Sequence, residues 1–222
     1  MIYGLQAPLQ FVGLVLALLA TLALRGWAQA LLARPAGLDA ALRAEQMDRP
    51  DPRRHVDPFG LVAAGFAGPG WGRPLPLGDE TRVGARRLAT VLLVPDLALV
   101  ALGAGLLLLS PAALLLADLG GVTLLAQGRA VDGPGGVALD QLAGVPLAVG
   151  LLCLLPLPPL DGGRVLLALG RRRSKGWQTF EDWTLGRNVG VAVLLLLALL
   201  DVLALVVDAL ASPLVALLGG SR

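Results

Sequence analysis

The chain has 222 residues, of which 56% are hydrophobic, and a mean hydropathy of +0.75. Soluble domains are about 45–50% apolar, so composition excludes a soluble globular protein and indicates one polytopic membrane domain over residues 1–222. The single cysteine, Cys153, excludes an internal disulfide, and the net charge of +2 says less than where the charges fall.

The first predicted span begins with the uncharged run 8–24 and continues through Trp27 to about Ala33. About 20 apolar residues suffice to cross the hydrocarbon core. Met1 to Gln6 carry no Lys or Arg, so the positive flank of a cleaved signal is missing and the run is expected to be retained. Residues 34–57 are polar, with Pro35, Pro50 and Pro52, and belong outside the hydrocarbon; a short β element there is compatible with the pattern. Residues 58–72 have an apolar core, Phe59 to Ala67, too short to span, which predicts a re-entrant half-span covered by other helices.

The second long span is 88–109, interrupted by Pro95 and Asp96. The run 112–126 reads equally as a short membrane leg or an interfacial helix. The third span is 142–160. The stretch 170–183 is basic and places Trp177, Phe180 and Trp183 at intervals of three. That pattern suits an interfacial helix on anionic lipid better than nucleic acid, which is not an expected partner. The fourth span is 189–211, where Asp201 and Asp208 stand seven apart and so share a helix face. No inverted repeat of the transporter kind is visible. The expected fold is an all-α integral membrane protein, a helical bundle of about four long transmembrane spans plus a re-entrant or short hairpin.

Charge sets the orientation. Of 18 basic residues, nine fall between the first two spans and six between the last two, whereas Arg129 and Arg222 lie on the opposite side and Arg25 inside a span. By the positive-inside rule the loops 34–87 and 161–188 are cytoplasmic and the N-terminus is outside. Arg25, Gln29 and Asp161 then sit at one depth.

The chain is organised around LPLPPLDGGRV, residues 155–165. Pro156, Pro158 and Pro159 break any regular helix. Asp161 follows at once, and Gly162 and Gly163 let the backbone bend. An ionisable group on a broken helix at membrane depth belongs in a protein-lined cavity rather than in lipid.

Here the residues resemble a known family. LLPLPPLDGGRV (154–165) is similar to the Asn-Leu-Leu-Pro-x-Pro-x-Leu-Asp-Gly-Gly signature of the site-2 protease family of intramembrane zinc metalloproteases. HVDPFG (55–60), with His55, Asp57, Pro58 and Gly60, resembles its His-x-Asp-Pro-x-Gly stretch. GWGRPLPL (70–77) is similar to its Gly-Trp-x-x-Pro-x-Pro stretch. The three occur in the family's order.

The resemblance implies a zinc cofactor on a His-Glu-x-x-His helix. Histidines at i and i+4 share a helix face and bind the metal, and the Glu is the base for metal-bound water. It also implies that the Asp of the Asp-Gly motif is the third ligand. The matching stretch here is RGWAQALLA (25–33), which puts Arg25 at the first His, Gly26 at the Glu and Gln29 at the second His. No realignment supplies the imidazoles, because His55 is the chain's one histidine. The Asn before Leu-Leu-Pro is Cys153, and the family's Gly-Pro-x-x-Asn corresponds to Val94 through Ala98.

The expectation is a family scaffold without catalytic residues, without zinc and without proteolysis, which binds a transmembrane helix of another protein or another membrane partner in the former substrate cleft, or acts as a regulatory or assembly subunit. Two arrangements fit Arg25: it pairs with Asp161, its guanidinium standing in for the metal's charge, or it snorkels to the cytoplasmic interface while Asp161 faces water at a helix end. A rival metal set of His55, Cys153 and Asp161 is chemically admissible. Two other classes stay open: an active intramembrane metalloprotease with a non-standard site, and a small transporter using Asp96, Asp118, Asp161, Asp201 and Asp208 as an acidic relay.

Overall fold

A helix apolar on nearly every side has no face to turn to water, and three such segments set the architecture. In a computed structural model of the chain, which describes residues 8–68, 70–76, 84–109, 134–170, 176, 179–180, 182–186 and 189–219, the first is α1 (Pro8–Ala36). Pro8 opens it at a position where a missing N–H costs nothing. Gly37, at φ 74°, closes it. The Gly37 N–H donates to Arg34 O at 3.1 Å and the Leu38 N–H to Ala33 O at 3.0 Å, the paired bonds of a left-handed glycine cap.

Three short helices follow: α2 (Asp39–Ala44), α3 (Pro52–His55) and α4 (Pro58–Ala67). The last two start alike. Asp51 and Asp57 cap them with a carboxylate that accepts backbone N–H groups, and a proline occupies the first helical position. Asp57 Oδ1 takes the Phe59 N–H at 2.8 Å and the Gly60 N–H at 3.4 Å. Gly60 is needed for a close approach, since a Cβ there would overlap the Trp71 carbonyl. Segment 70–76 therefore lies against α4. Val56 and Gly72 form an isolated antiparallel bridge, and the Arg73 N–H donates to His55 O at 2.8 Å.

The other two apolar helices are α5 (Ala85–Leu108) and α6 (Pro134–Cys153). They pack most extensively on each other, and α1 packs on both. Glycines let the backbones come close: a Cβ on Gly103 would stand 2.6 Å from Leu147 Cβ, and one on Gly150 2.7 Å from Asp96 O. Small residues at such crossings are how membrane helices gain packing energy. After α6 the chain forms α7 (Asp161–Gly170), which packs on α5, and a π-helical turn at Asp182–Gly186. It ends in α8 (Val189–Leu199) against α4 and α9 (Val202–Gly219) against α6.

The apolar interior has two parts. One, around Leu18, Leu22, Leu99, Leu147 and Leu152, fills the bundle. The other, around Ala33, Leu42, Met47, Leu88 and Val165, fills the end formed by the C-terminal half of α1, α2 and the start of α5.

The molecule is a helical membrane protein, with no strand among the described residues. Its spans differ from the sequence expectation. Among the described residues two helices, rather than the four expected, are long and apolar enough to cross a membrane: Phe11–Ala36 and Ala85–Leu108. The expected span 142–160 stops at Cys153, because Pro156, Pro158 and Pro159 cannot continue the helix. Its apolar part, Gln141–Cys153, is about 20 Å long at 1.5 Å per residue. The expected span 189–211 breaks at Leu200 and Asp201, and its halves meet at 78°; counted as one bent span they make a third. Asp201, at φ 56°, sits in the break and Asp208 inside α9, so the shared helix face predicted for them does not exist. The half-span 58–72 is helical only to Ala67. Residues 112–126, Asp118 and most of 170–183 lie outside the described residues.

Candidate functional site

The boundary between the two apolar regions holds the site. Arg25 and Gln29 on α1 fall between Leu22 of one region and Ala30 of the other. Asp96 on α5 falls between Leu92 and Leu99, and Asp161, first residue of α7, between Leu160 and Val165. All four are buried: Arg25 is 5% exposed, Gln29 and Asp96 0%, Asp161 2%.

Arg25 binds two carboxylates. Its Nε donates to Asp96 Oδ1 at 2.6 Å, and its Nη2 donates to Asp161 Oδ2. Gln29, one turn on, points its amide Nε2 at the same Asp161 Oδ2 and at Leu92 O, 3.4 Å away. On the other side of Asp161, Arg164 Nη1 stands 3.7 Å from Oδ1, while its Nη2 donates to Leu75 O at 2.9 Å. Two guanidinium groups thus face two carboxylates and the formal charges cancel. That cancellation is what allows ions to persist in an apolar interior, where an isolated one costs several kcal/mol.

Local sequence places each member. Asp161 sits in the first turn of α7, where the helix dipole favours a negative charge. It gets there because the proline loop folds back over that turn. A Cβ on Gly162 would overlap the Leu154 and Leu155 carbonyls, and one on Gly163 the Leu157–Pro158 peptide. Both glycines of the Asp-Gly motif are therefore sites of close backbone approach. Pro156 is exposed on the loop, and Cys153 is buried in the last turn of α6.

The second motif has a different role from the first. His55 is buried, and its Nε2 is 2.9 Å from Arg49 O. Its ring rests on α1 at Gly26, where a Cβ would overlap Nδ1 and Cε1. So the space over position 26, where the resemblance expects a glutamate, is taken by the imidazole. Asp57 and Pro58 cap α4, and Gly60 makes room for Trp71. The rival set His55, Cys153 and Asp161 is not assembled: no group of three His, Cys, Asp or Glu side chains placed to hold a metal occurs among the described residues.

Zinc requires donors of electron pairs: imidazole nitrogen, thiolate sulfur or carboxylate oxygen. At the two ligand positions of the helix this chain has a guanidinium, which has no pair to give, and an amide that turns its N–H₂ toward Asp161. The residues present do not fit the ion.

Sequence reasoning placed Asp96 in a broken motif and missed its partner. A signal was available: Arg25 and Asp96 are the only charges well inside the two long apolar helices, and two such opposite charges need each other. Arg164 carried no signal, because it read as one more basic loop residue.

Fold and site together define a helical membrane protein with the motif layout of the site-2 proteases. The chain is 32% identical over 162 residues to the protein named "Putative zinc metalloprotease YwhC" of Bacillus subtilis (strain 168), an alignment covering 69% of this chain and 67% of that one. The chain belongs to this site-2-protease-like family. No family model matches it, and no solved structure matches at a significant level.

Proposed function

We propose that this protein is a non-catalytic member of its family, which binds or regulates a membrane partner at the former substrate site. The observation that supports the reading is the Arg25 guanidinium, bonded to both Asp96 and Asp161 where a zinc-dependent member needs imidazole. Position 26, where the family's base is expected, is a glycine with His55 packed over it, so that position supplies no group to activate a metal-bound water.

The partner is a transmembrane helix. Large apolar side chains immediately beside the buried charges are exposed: Trp27 and Leu31 on α1, Val94 and Leu97 on α5. They lie on the outward faces of α1 and α5 at the level of the site, surface suited to another apolar helix. In this reading the N-terminus is outside and the basic segments 34–87 and 161–188 face the cytoplasm.

The test is elemental analysis of the detergent-purified protein after zinc supplementation, alongside cleavage of a transmembrane peptide. The expected results are zinc well below one per chain and no cleavage, in the wild type and in Asp161→Ala alike. Stoichiometric zinc that Asp161→Ala removes would overturn the proposal.

A further inference from the structure

The elbow between α8 and α9 carries a charge that the fold does not use. From Asn188 to Ser221 the chain has two carboxylates, Asp201 and Asp208, and no Lys or Arg. Asp201 stands in the break, where the two helices meet at 78°. At 1.5 Å per residue, α8 runs about 17 Å up to the break and α9 about 27 Å beyond it. The elbow is thus remote from the far end of either helix.

The backbone there is complete without a charged side chain. The Asp201 N–H donates to Ala198 O at 3.0 Å, and Asp201 O accepts the Leu205 N–H at 3.1 Å. At φ 56° the residue adopts the left-handed conformation, which Gly or Asn takes without bringing a charge. The residue is exposed, and among the described residues its carboxylate has no hydrogen bond or ion pair. Its surroundings are apolar on both sides. Leu196, Leu199 and Leu200 before it and Val202 and Leu205 after it are all exposed, Leu200 at 62% and Leu205 at 69%. A run of exposed aliphatic side chains marks a membrane or protein contact, and a carboxylate within it is costly unless it is paired.

We propose that the elbow is a docking surface for an apolar transmembrane helix of another protein that carries a lysine or arginine near its middle, with Asp201 as the ionic contact. Charge complementarity selects this occupant. The aliphatic side chains suit any apolar helix, but the unpaired carboxylate favours one that brings a cation. A second copy of this chain does not meet the requirement. Arg25 is the one cation well inside its described apolar helices, and that guanidinium is buried and bonded to Asp96 and Asp161. The elbow is carried by different helices from the α1 and α5 surface beside the Arg25 cluster, and the inference holds whether or not the protein binds zinc.

The experiment is energy transfer from the protein's tryptophans to a dansyl-labelled leucine-rich helix of about 20 residues with uncharged ends, the full-length protein being held in phosphatidylcholine vesicles. Peptides with lysine, leucine or glutamate at the centre are compared. The lysine peptide is expected to reach half-maximal transfer at about tenfold lower mole fraction than the leucine peptide, in keeping with the strength of polar contacts between membrane helices. The glutamate peptide should bind most weakly. Asp201→Asn keeps the turn, so it should abolish the lysine preference and leave the melting temperature unchanged. Asp201→Lys should transfer the preference to the glutamate peptide, and Asp208→Asn should retain the lysine preference. Equal binding of the lysine and leucine peptides by the wild type, or a lysine preference that survives Asp201→Asn, would overturn the proposal. So would self-association that Asp201→Asn abolishes while the lysine peptide does not bind, since it would assign the elbow to a second copy.

Discussion

Arg25 is the residue on which the buried charges depend. It is the one cation bonded to both carboxylates, so Arg25→Ala leaves Asp96 without an ionic partner in an apolar interior. Breaking a buried pair by removing one member costs about 3–5 kcal/mol. The expected result is a large fall in the thermal midpoint of the purified protein. Combining Arg25→Leu with Asp161→Asn should cost less than the sum of the single changes, because both remove the same Arg25–Asp161 contact; strictly additive effects would show the two side chains to be uncoupled. Gly26 supplies a second test. An alanine there drives its Cβ into the His55 ring, and overpacking of that kind costs about 1–3 kcal/mol. His55→Ala should rescue Gly26→Ala in a melting experiment, whereas a change elsewhere on α3, such as Arg53→Ala, should not. The sequence alone shows that position 26 is a glycine. It cannot show that a histidine 29 positions later fills the space, because that contact needs α3 folded back onto α1.

Among the elements, α5 and α6 form the tightest pair, and the glycines at their crossing also set where Asp96 stands. Gly150→Leu has no room: even a Cβ meets Asp96 O at 2.7 Å and Val100 Cγ2 at 2.8 Å. The helices must part, and with them the Asp96 carboxylate must leave Arg25. The expected loss of stability is about 2–4 kcal/mol, from overpacking plus part of a buried ion pair. Gly105→Leu on the partner helix α5, which faces open space, should cost less than about 1 kcal/mol and is the control; comparable losses for both would show that the crossing is not close. The helix ends teach a different lesson. Pro58 and Asp57, Pro52 and Asp51, and the glycine after α1 are local signals, and they start or stop helices where a sequence reading expects turns. The break between α8 and α9 was invisible, because Leu200 and Asp201 have no proline or glycine and a carboxylate in an apolar run can equally sit on a continuous helix.

For the whole molecule, the length of α5 matters most. Running from Ala85 to Leu108, it covers about 36 Å at 1.5 Å per residue, enough to cross the hydrocarbon core. Residues before and after it should therefore lie on opposite sides of the membrane. Cys153→Ala removes the one native thiol and leaves a clean background. In it, Leu109→Cys should react with an impermeant maleimide added to intact cells, and Glu45→Cys should react only after permeabilisation, since both positions are exposed and the basic loops are placed inside. The reverse pattern would invert the topology and move the Arg25 cluster to the outer end of its span.

Composition and local pattern determined that this is a helical membrane protein, that its helices start and stop at particular Pro, Gly and Asp residues, and which motifs carry its family resemblance. Those properties follow from solvation and backbone geometry, which act on residues near one another in the chain. Tertiary structure alone decided the rest: that Arg25 is shared between carboxylates 71 and 136 positions away, that His55 covers Gly26, and that among the described residues two helices are single unbroken spans. These depend on which helix faces pack together, and pairing between distant charges is set by that packing rather than by spacing along the chain.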